Sequence, residues 1–302
     1  VQIPYTSTDL ALPGSLSGIQ ASLSIVAGAQ PGSSGYVADA VKTIYIDDSS
    51  DTGNQNFTMT STVDAFGVVN QVGALIGQLN SSAMGLNGVI YWDTTSTDVN
   101  IQLGSGTNTF TANGTLAGNQ TTVNGGPGNE HFILNGQNPL LGLGFLSPLQ
   151  LHGNSNTFAG DTLTVNTAVS GQNLILTGSS IDGLGVTGAT IRFDTLEFLT
   201  VNAIGGNNSF TINGDSIPTI INGGPHSDTF TINANTASLT ISGLNDAGNF
   251  VINANSGILQ ITGGKGANSF TVNGNGGALT LTGGIGADIF VINGNSSSLT
   301  AN

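Results

Sequence analysis

Apolar and polar residues alternate along short segments of this chain, and the alternation returns at a fixed interval in the C-terminal third. Residues 270–273 (FTVN) and 279–282 (LTLT) are two such segments. A period of two residues predicts β-strands with Phe, Val and Leu on a buried face and Thr on the outer face. The residues between the segments are rich in Gly and Asn, which indicates turns.

The whole unit of two strands and two turns repeats every 20 residues. A Phe recurs at this interval, at Phe210, Phe230, Phe250, Phe270 and Phe290. Three residues after each Phe is an Asn, at Asn213, Asn233, Asn253, Asn273 and Asn293, and five residues after it is Asp215, Asn235, Asn255, Asn275 or Asn295. A unit this short cannot bury its own apolar face and must stack on its neighbours. We therefore expect an all-β fold, a parallel β-solenoid with Phe, Leu and Ile core columns and hydrogen-bonded Asn ladders.

A longer repeat precedes the regular coils. Residues 99–114 align without gaps on 199–214, and residues 123–132 match 221–230. A block of about a hundred residues therefore occurs twice, and its second copy continues into the regular coils.

These repeats divide the chain into three regions. Residues 1–41 keep neither period and are expected to form an N-terminal cap, a linker or an assembly segment. Residues 42–150 are the first solenoid block, with an insertion at about 68–85, and residues 151–302 are the second block. Within the insertion, six apolar residues at helical spacing predict an amphipathic helix: Val68, Val69, Val72, Leu75, Ile76 and Leu79.

The charge content argues against several functional classes. The formal net charge is −14, and the only cations are Lys42, Arg192 and Lys265, so we expect no nucleic-acid partner. The chain has no Cys and no apolar run that would span a membrane. A surface of Ser, Thr, Asn and Gly with few charges is typical of secreted repeat proteins, which favours an extracellular or cell-surface location.

Candidate catalytic residues are sparse, and we expect no enzymatic activity. Arg192 and Lys265 are 73 residues apart, which is not a whole number of coils. Asp194 and Glu197 are the nearest approach to the carboxylate pair of a glycosidase, but a solvated turn is the favoured explanation for them. The three histidines lack metal-ligand spacing: His131, His152 and His226.

Residues 283–291 (GGIGADIFV) match the nonapeptide GGxGxDxUx of RTX, or hemolysin-type, repeats. Residues 47–51 (DDSSD) and 124–130 (NGGPGNE) resemble turns of the degenerate β-strand repeats in large bacterial extracellular, adhesin-like proteins. The resemblance implies a secreted, non-enzymatic solenoid with calcium between coils and no other cofactor. The calcium ligands that it implies are Asp288 with Gly283 and Gly286, then Asp228, and the turn residues Asp47, Asp48 and Asp51. Several coils carry Asn or Gly in place of this Asp, which would weaken calcium binding.

The expected function is structural. The sequence stops inside its own pattern at Asn302, so we expect the last coil to stack on residues 1–41 of the next subunit. Such a head-to-tail homopolymer would form a surface filament, a sheath or an adhesin stalk. One alternative is a β-helix that binds or cleaves carbohydrate, for example on cell surfaces, with Tyr91 and Trp92 as its aromatic residues. Another alternative is ice binding by outward Thr columns, one of which is Thr211, Thr231 and Thr271.

Overall fold

The protein is a β-solenoid, as the sequence predicts. The computed structural model describes residues 9–11, 14–25, 43–64, 75–93, 98–136, 144–154, 160–167, 171–184, 189–243 and 246–302. The only helical segment within these ranges is the short 3-10 turn Leu16–Gly18. No helix in the described part of the chain is long and apolar enough to cross a membrane.

The strands, in chain order, are β1 (Asp9–Ala11), β2 (Leu23–Ile25), β3 (Thr43–Asp47), β4 (Asn56–Val63), β5 (Leu75–Ser81), β6 (Ile90–Trp92), β7 (Asp98–Gln102), β8 (Thr109–Ala112), β9 (Gln120–Asn124), β10 (His131–Asn135), β11 (Leu149–His152), β12 (Thr162–Asn166), β13 (Asn173–Leu176), β14 (Ser180–Asp182), β15 (Thr190–Asp194), β16 (Phe198–Asn202), β17 (Ser209–Ile212), β18 (Thr219–Asn222), β19 (Thr229–Ile232), β20 (Ser238–Ser242), β21 (Asn249–Ile252), β22 (Ile258–Thr262), β23 (Ser269–Val272), β24 (Ala278–Thr282), β25 (Ile289–Ile292) and β26 (Leu299–Ala301).

The chain forms two compact units, of which the first contains Val1–Asp161 and Gly185–Thr195. One sheet of this unit has the order β1-β3-β7-β9-β11-β15, and every pair is parallel. In the other sheet, β2 pairs with β6, and β4, β8 and β10 pair in sequence, again in parallel. Strand β5 lies between β4 and β6 and is antiparallel to both.

The second unit contains Thr162–Leu184 and Leu196–Asn302. One of its sheets has the parallel order β12-β16-β18-β20-β22-β24-β26. The other has the parallel order β13-β17-β19-β21-β23-β25, with β14 antiparallel to β13. Each 20-residue coil therefore contributes one strand to each sheet. Parallel neighbours in one sheet must be joined by a crossover connection, and the strand in the opposite sheet is part of that connection.

A continuous stack of Phe rings forms the core of the second unit. The rings of Phe210, Phe230, Phe250, Phe270 and Phe290 are 4.8–5.1 Å apart and parallel to within 8°. The first four are fully buried, and Phe290 is partly exposed because β25 pairs with a strand on one side only. The predicted register is confirmed, since each Phe pairs with the Phe of the next coil.

The duplication is visible in the strand pairing. In the first copy, β3 pairs with β7 and β4 pairs with β8. In the second copy, β12 pairs with β16 and β13 pairs with β17. In the first copy, β4 pairs with the Phe-containing strand β8 and is followed in the chain by β5, which is antiparallel to β4. In the second copy, β13 pairs with the Phe-containing strand β17 and is followed by β14, which is antiparallel to β13.

The prediction of a helix in the insertion is wrong for its second half. Leu75, Ile76 and Leu79 lie in strand β5, where Ile76 and Leu79 are buried. Gly77 explains the difference, because it disfavours a helix and lets the indole of Trp92 approach the backbone. A Cβ atom at this position would lie 2.1 Å from that indole. Residues 68, 69 and 72 of the predicted helix lie outside the described ranges.

The described part of residues 1–41 adds strands to both sheets of the first unit. Strand β1 pairs in parallel with β3, and β2 pairs in parallel with β6. Between these strands, Leu16 is completely buried and its backbone N–H donates to Asp48 Oδ1 at 2.9 Å. This segment therefore covers the coil that follows it in the chain.

Candidate functional site

Two long ladders of Asn side chains run along the second unit, and the first is exposed to solvent. In this outer ladder the Nδ2 atom of each Asn donates to Oδ1 of the Asn 20 residues earlier, at 2.8–2.9 Å. Its members are Asn213, Asn233, Asn253, Asn273 and Asn293. The predicted ladder is confirmed, and it fixes the register of the coils from outside.

The second, inner ladder is buried and runs in the opposite direction. Here Nδ2 of Asn235, Asn255 and Asn275 donates to Oδ1 of the Asn 20 residues later, at 2.6–2.7 Å. The same Nδ2 atoms lie 3.3–3.5 Å from backbone carbonyl oxygens of the next coil. These three residues are at most 4% exposed. Since each amide has partners in two directions, the inner ladder holds both the register and the corner of the coil.

The residues that the RTX resemblance implies as calcium ligands act as caps for backbone groups. Asp228 is buried, and its Oδ1 and Oδ2 atoms accept from the N–H groups of Asn208 at 2.7 Å and Gly224 at 3.1 Å. Asp288 Oδ1 accepts from both the backbone N–H and the Nδ2 of Asn268, each at 2.9 Å. A carboxylate or amide at the position just before the Phe-containing strand therefore closes the turn of its own coil or of the preceding coil.

The two implied glycine ligands lie at this turn. Gly283 packs against the carboxylate of Asp288, and its carbonyl oxygen accepts from Asn268 Nδ2 at 2.8 Å. Gly286 has a φ of 141°, a backbone conformation that favours glycine. The glycines of the motif are thus explained by turn geometry and close packing.

Burial is the main influence on the pKa of Asp228. Burial raises the pKa of this carboxyl group, while hydrogen bonds from Asn208 and Gly224 and the charge of His226 lower it. The net direction is upward, which means that the folded protein holds a proton on Asp228 more tightly than an exposed Asp would.

The Asp47–Asp51 turn lies under the N-terminal segment. Asp48 is completely buried and accepts the N–H of Leu16, while Asp47 accepts the N–H of Ser49 at 2.9 Å. Burial raises the pKa of Asp48, the hydrogen bond from Leu16 lowers it, and the charges of Asp51 and Asp47 raise it again. These three carboxylates stabilise a turn and its cap.

The oxygen atoms of these candidate ligands are not arranged as a calcium site requires. Calcium prefers about six to eight oxygen ligands, and the described residues contain no group of three or more His, Asp or Glu side chains that could hold a metal. Asp228 and Asp288 are separated along the column by coils that carry Gly248 and Asn268. Calcium binding stays a prediction for this chain.

The first unit contains a buried carboxyl pair that sequence reasoning missed. Glu130 and Asp161 are both completely buried, and Asp161 Oδ1 accepts the backbone N–H of Glu130 at 2.7 Å. Glu130 Oε1 accepts from Asn108 Nδ2 at 3.2 Å. Burial, followed by the charge of Asp161, raises the pKa of Glu130 to about 8. Sequence position could have indicated the pair, because Asn108, Glu130 and Asp161 each lie one residue before a strand, as Asp228 does.

The other candidates from the sequence do not converge on one site. His152 Nδ1 lies 2.7 Å from Asp194 Oδ1, and His226 lies 3.7 Å from Asp246. Glu197 is exposed in the connection between β15 and β16. Trp92 is 1% exposed and belongs to the core, so it cannot form a surface groove with Tyr91.

A shallow depression in the second unit contains no catalytic side chains. It has a volume of about 430 Å³ and is lined by Ala254, Asn255, Gly274, Asn275, Gly276, Gly294, Asn295 and Ser296. None of these residues is a general acid, a general base or an activated nucleophile.

The sequence matches no family model, no curated protein and no solved structure.

Proposed function

We propose that this protein is a non-enzymatic structural solenoid of the cell exterior, which assembles head to tail with further copies of itself. The observation that carries the proposal is the identity of successive coils in the second unit. Each Phe stacks on the same Phe at 4.8–5.1 Å, and each outer Asn bonds to the same Asn at 2.8–2.9 Å. A coil of this kind is complementary to a copy of itself.

The coil that contains β25 and β26 presents a strand edge to which a further coil of the same kind can be added. Strand β25 pairs only with β23, and Ile289, Val291 and Ile292 are 60%, 42% and 41% exposed. An uncovered strand edge beside apolar side chains is a template for another strand. A second copy of the chain supplies the matching β-strand edge. The contact is heterologous and does not close, so it yields a filament.

The composition supports an extracellular, non-enzymatic role. Charged residues make up 7% of the chain, and the cations of the described part are Arg192 and Lys265. The depression lined by Asn255, Asn275 and Asn295 also has no converging acid and base groups. A Thr, Ser, Asn and Gly surface on a rigid stack suits a mechanical function, and the proposed forms are a surface filament, a sheath or an adhesin stalk.

Electron microscopy of the native material, with light scattering of the purified chain, tests the proposal. Wild type should form filaments whose mass grows with concentration. Ile292→Lys places a charge at the proposed contact and should leave folded monomers, while the control Thr271→Lys on the outer face of β23 should still assemble. Monodisperse wild-type monomers at every concentration would refute self-assembly.

One face of the first unit favours a second candidate, glycan binding. Five paired strands, β3, β7, β9, β11 and β15, place one residue each in a single outward row: Tyr45, Asn100, Thr122, Gln150 and Arg192. Tyr45 is 44% exposed. The adjacent row contains Asp47, Gln102, Asn124, His152 and Asp194.

This composition is not what strand propensity alone would select. Asn and Asp are depleted in strands, whereas the equivalent faces of the second unit are mostly Thr, Ser and Val. Amides, a guanidinium and an exposed ring together suit a hydroxyl-rich ligand. Glycan-array binding that is lost in Tyr45→Ala and kept in the control Thr231→Ala would support this candidate, and equal binding by both would reject it.

A further inference from the structure

The inner Asn ladder starts at a residue that cannot continue it. In three successive rungs, Oδ1 of Asn255, Asn275 and Asn295 accepts from the Asn 20 residues earlier. By the same geometry, Oδ1 of Asn235 should accept from residue 215. That residue is Asp215, and an ionised carboxylate has no hydrogen to donate.

Two oxygens are left without a donor at this junction. Asn235 Oδ1 and Asp215 Oδ2 are both buried and have no hydrogen-bond partner. Their residues are 1% and 7% exposed. The other carboxylate oxygen, Asp215 Oδ1, is well satisfied, since it accepts from the N–H groups of Thr236 at 2.6 Å and Ala237 at 3.1 Å. Of the two Asp215 carboxylate oxygens, only Oδ2 therefore lacks a donor.

Turning the Asn235 amide over does not solve the problem. Its Nδ2 atom donates to Asn255 Oδ1 at 2.6 Å and lies 3.3 Å from the carbonyl oxygen of Ile258. A flipped Asn235 amide would place Oδ1 against the carbonyl oxygen of Ile258, and a concerted flip of the ladder would repeat this clash at the carbonyl oxygens of Ala278 and Ser298. The direction of the inner ladder is thus fixed, and Asn235 presents an acceptor to Asp215.

The carboxylate of Asp215 also lacks a compensating charge. The ion pairs of the described residues join His152 to Asp194 and His226 to Asp246, and neither involves Asp215. A buried carboxylate without a counter-charge is costly, because water no longer solvates it. The junction therefore needs a species that is positively charged and binds oxygen.

We propose that Asp215 Oδ2 and Asn235 Oδ1 hold a small monovalent cation, of the sodium or potassium class, between two coils. One carboxylate and one amide oxygen match a single positive charge, whereas divalent sites gain affinity from several carboxylates. The site is separate from the turn column of Asp228 and Asp288. It is also independent of the proposed structural function, since it concerns one junction inside a single chain.

The variant Asp215→Asn provides the test, because it adds the missing donor for Asn235 and keeps the acceptor for Thr236. Thermal unfolding of the full chain should be followed in sodium, potassium and tetramethylammonium chloride at equal ionic strength. The wild-type Tm should rise with sodium or potassium and saturate. The Tm of Asp215→Asn should not depend on the cation, and in tetramethylammonium it should exceed that of wild type.

The matched control is Asp246→Asn, which removes one exposed carboxylate from the coil that follows Asn235. This control should keep the wild-type response to sodium or potassium. A wild-type Tm that is the same in all three salts would overturn the proposal. So would a rise of the wild-type Tm on acidification without any cation effect, which would indicate a shared proton instead.

Discussion

The most direct test of the fold is the substitution of Phe250 by Ala in the middle of the aromatic stack. Phe250 is completely buried, and its ring lies 5.1 Å from that of Phe230 and 4.8 Å from that of Phe270. Its backbone pairs on both sides, so the surrounding strands are held in place. The cavity left by the ring can therefore collapse only partly.

The expected loss follows from two contributions. Truncation of a buried Phe to Ala costs about 3–5 kcal/mol through lost transfer free energy and the cavity. Each of the two stacked contacts contributes about 0.5–1.5 kcal/mol beyond burial. Because these contributions overlap, we expect a loss of unfolding free energy at the upper end, roughly 4–5 kcal/mol.

Urea unfolding followed by circular dichroism measures this loss, with the m-value checked for constancy. Val251→Ala is the matched control, because Val251 lies next in the same strand and faces outward. The control should lose less than about 1 kcal/mol. A loss at Phe250 no larger than that of the control would show that the Phe column does not carry the core.

Three further predictions concern the polar columns. Asn255→Ala should cost about 1–3 kcal/mol, since it removes the ladder partner of the buried Asn235 Nδ2 and of the buried Asn275 Oδ1, while Asn253→Ala in the exposed outer ladder should cost clearly less. Equal losses in urea unfolding would contradict the distinction. Glu130 has a pKa of about 8 in the folded protein against an ordinary value of 4.5, so its contribution to stability is full below pH 4.5 and is lost as the pH rises to about 8. Glu130→Gln should therefore flatten the decline in unfolding free energy between pH 5 and 8. The control Glu197→Gln changes an exposed carboxylate and should show the same decline as wild type. If Glu130→Gln leaves the pH dependence of the unfolding free energy unchanged, the result would count against the buried pair. Addition of a calcium chelator should leave the β-sheet circular dichroism signal in place, because the Asn-substituted turns are closed by protein groups; complete loss of the signal would mean that calcium is required for folding.

The solenoid and its register could be predicted from the sequence because the repeat is strict where the fold is regular. A Phe every 20 residues fixes which residue stacks on which, and the pairing of Phe230 with Phe250 follows directly. The Asn at the third position after each Phe could be assigned to a ladder for the same reason. Periodicity alone settles these points, since every coil has the same neighbours above and below.

Burial of polar residues could not be predicted in this way. Asn253 and Asn255 have the same spacing and the same residue type, yet only Asn255 is buried. The difference depends on how the corner bends after the strand, which the repeat does not encode. The same limit hid the Glu130–Asp161 pair, because these residues are 31 apart and fall outside the regular 20-residue spacing. The strand at Leu75–Ser81 was missed because its apolar residues fit a helical spacing and a strand equally well, and the contact of Gly77 with Trp92 decides between them.

The distribution of acidic residues in the turn column has a physical reason. Residues in equivalent positions of adjacent coils are about 4.8 Å apart, and two like charges at that distance repel by roughly 3–4 kcal/mol at an effective dielectric constant near 20. In the second unit the carboxylates of Asp228 and Asp288 are kept apart by Gly248 and Asn268, and Asn268 supplies the amide hydrogens that Asp288 accepts. In the first unit Glu130 and Asp161 are direct neighbours, and there the repulsion contributes to the raised pKa. The replacement of Asp by Asn or Gly along the column therefore allows buried turns to stack without a counter-ion. It also explains why the nonapeptide GGxGxDxUx is complete in only one coil.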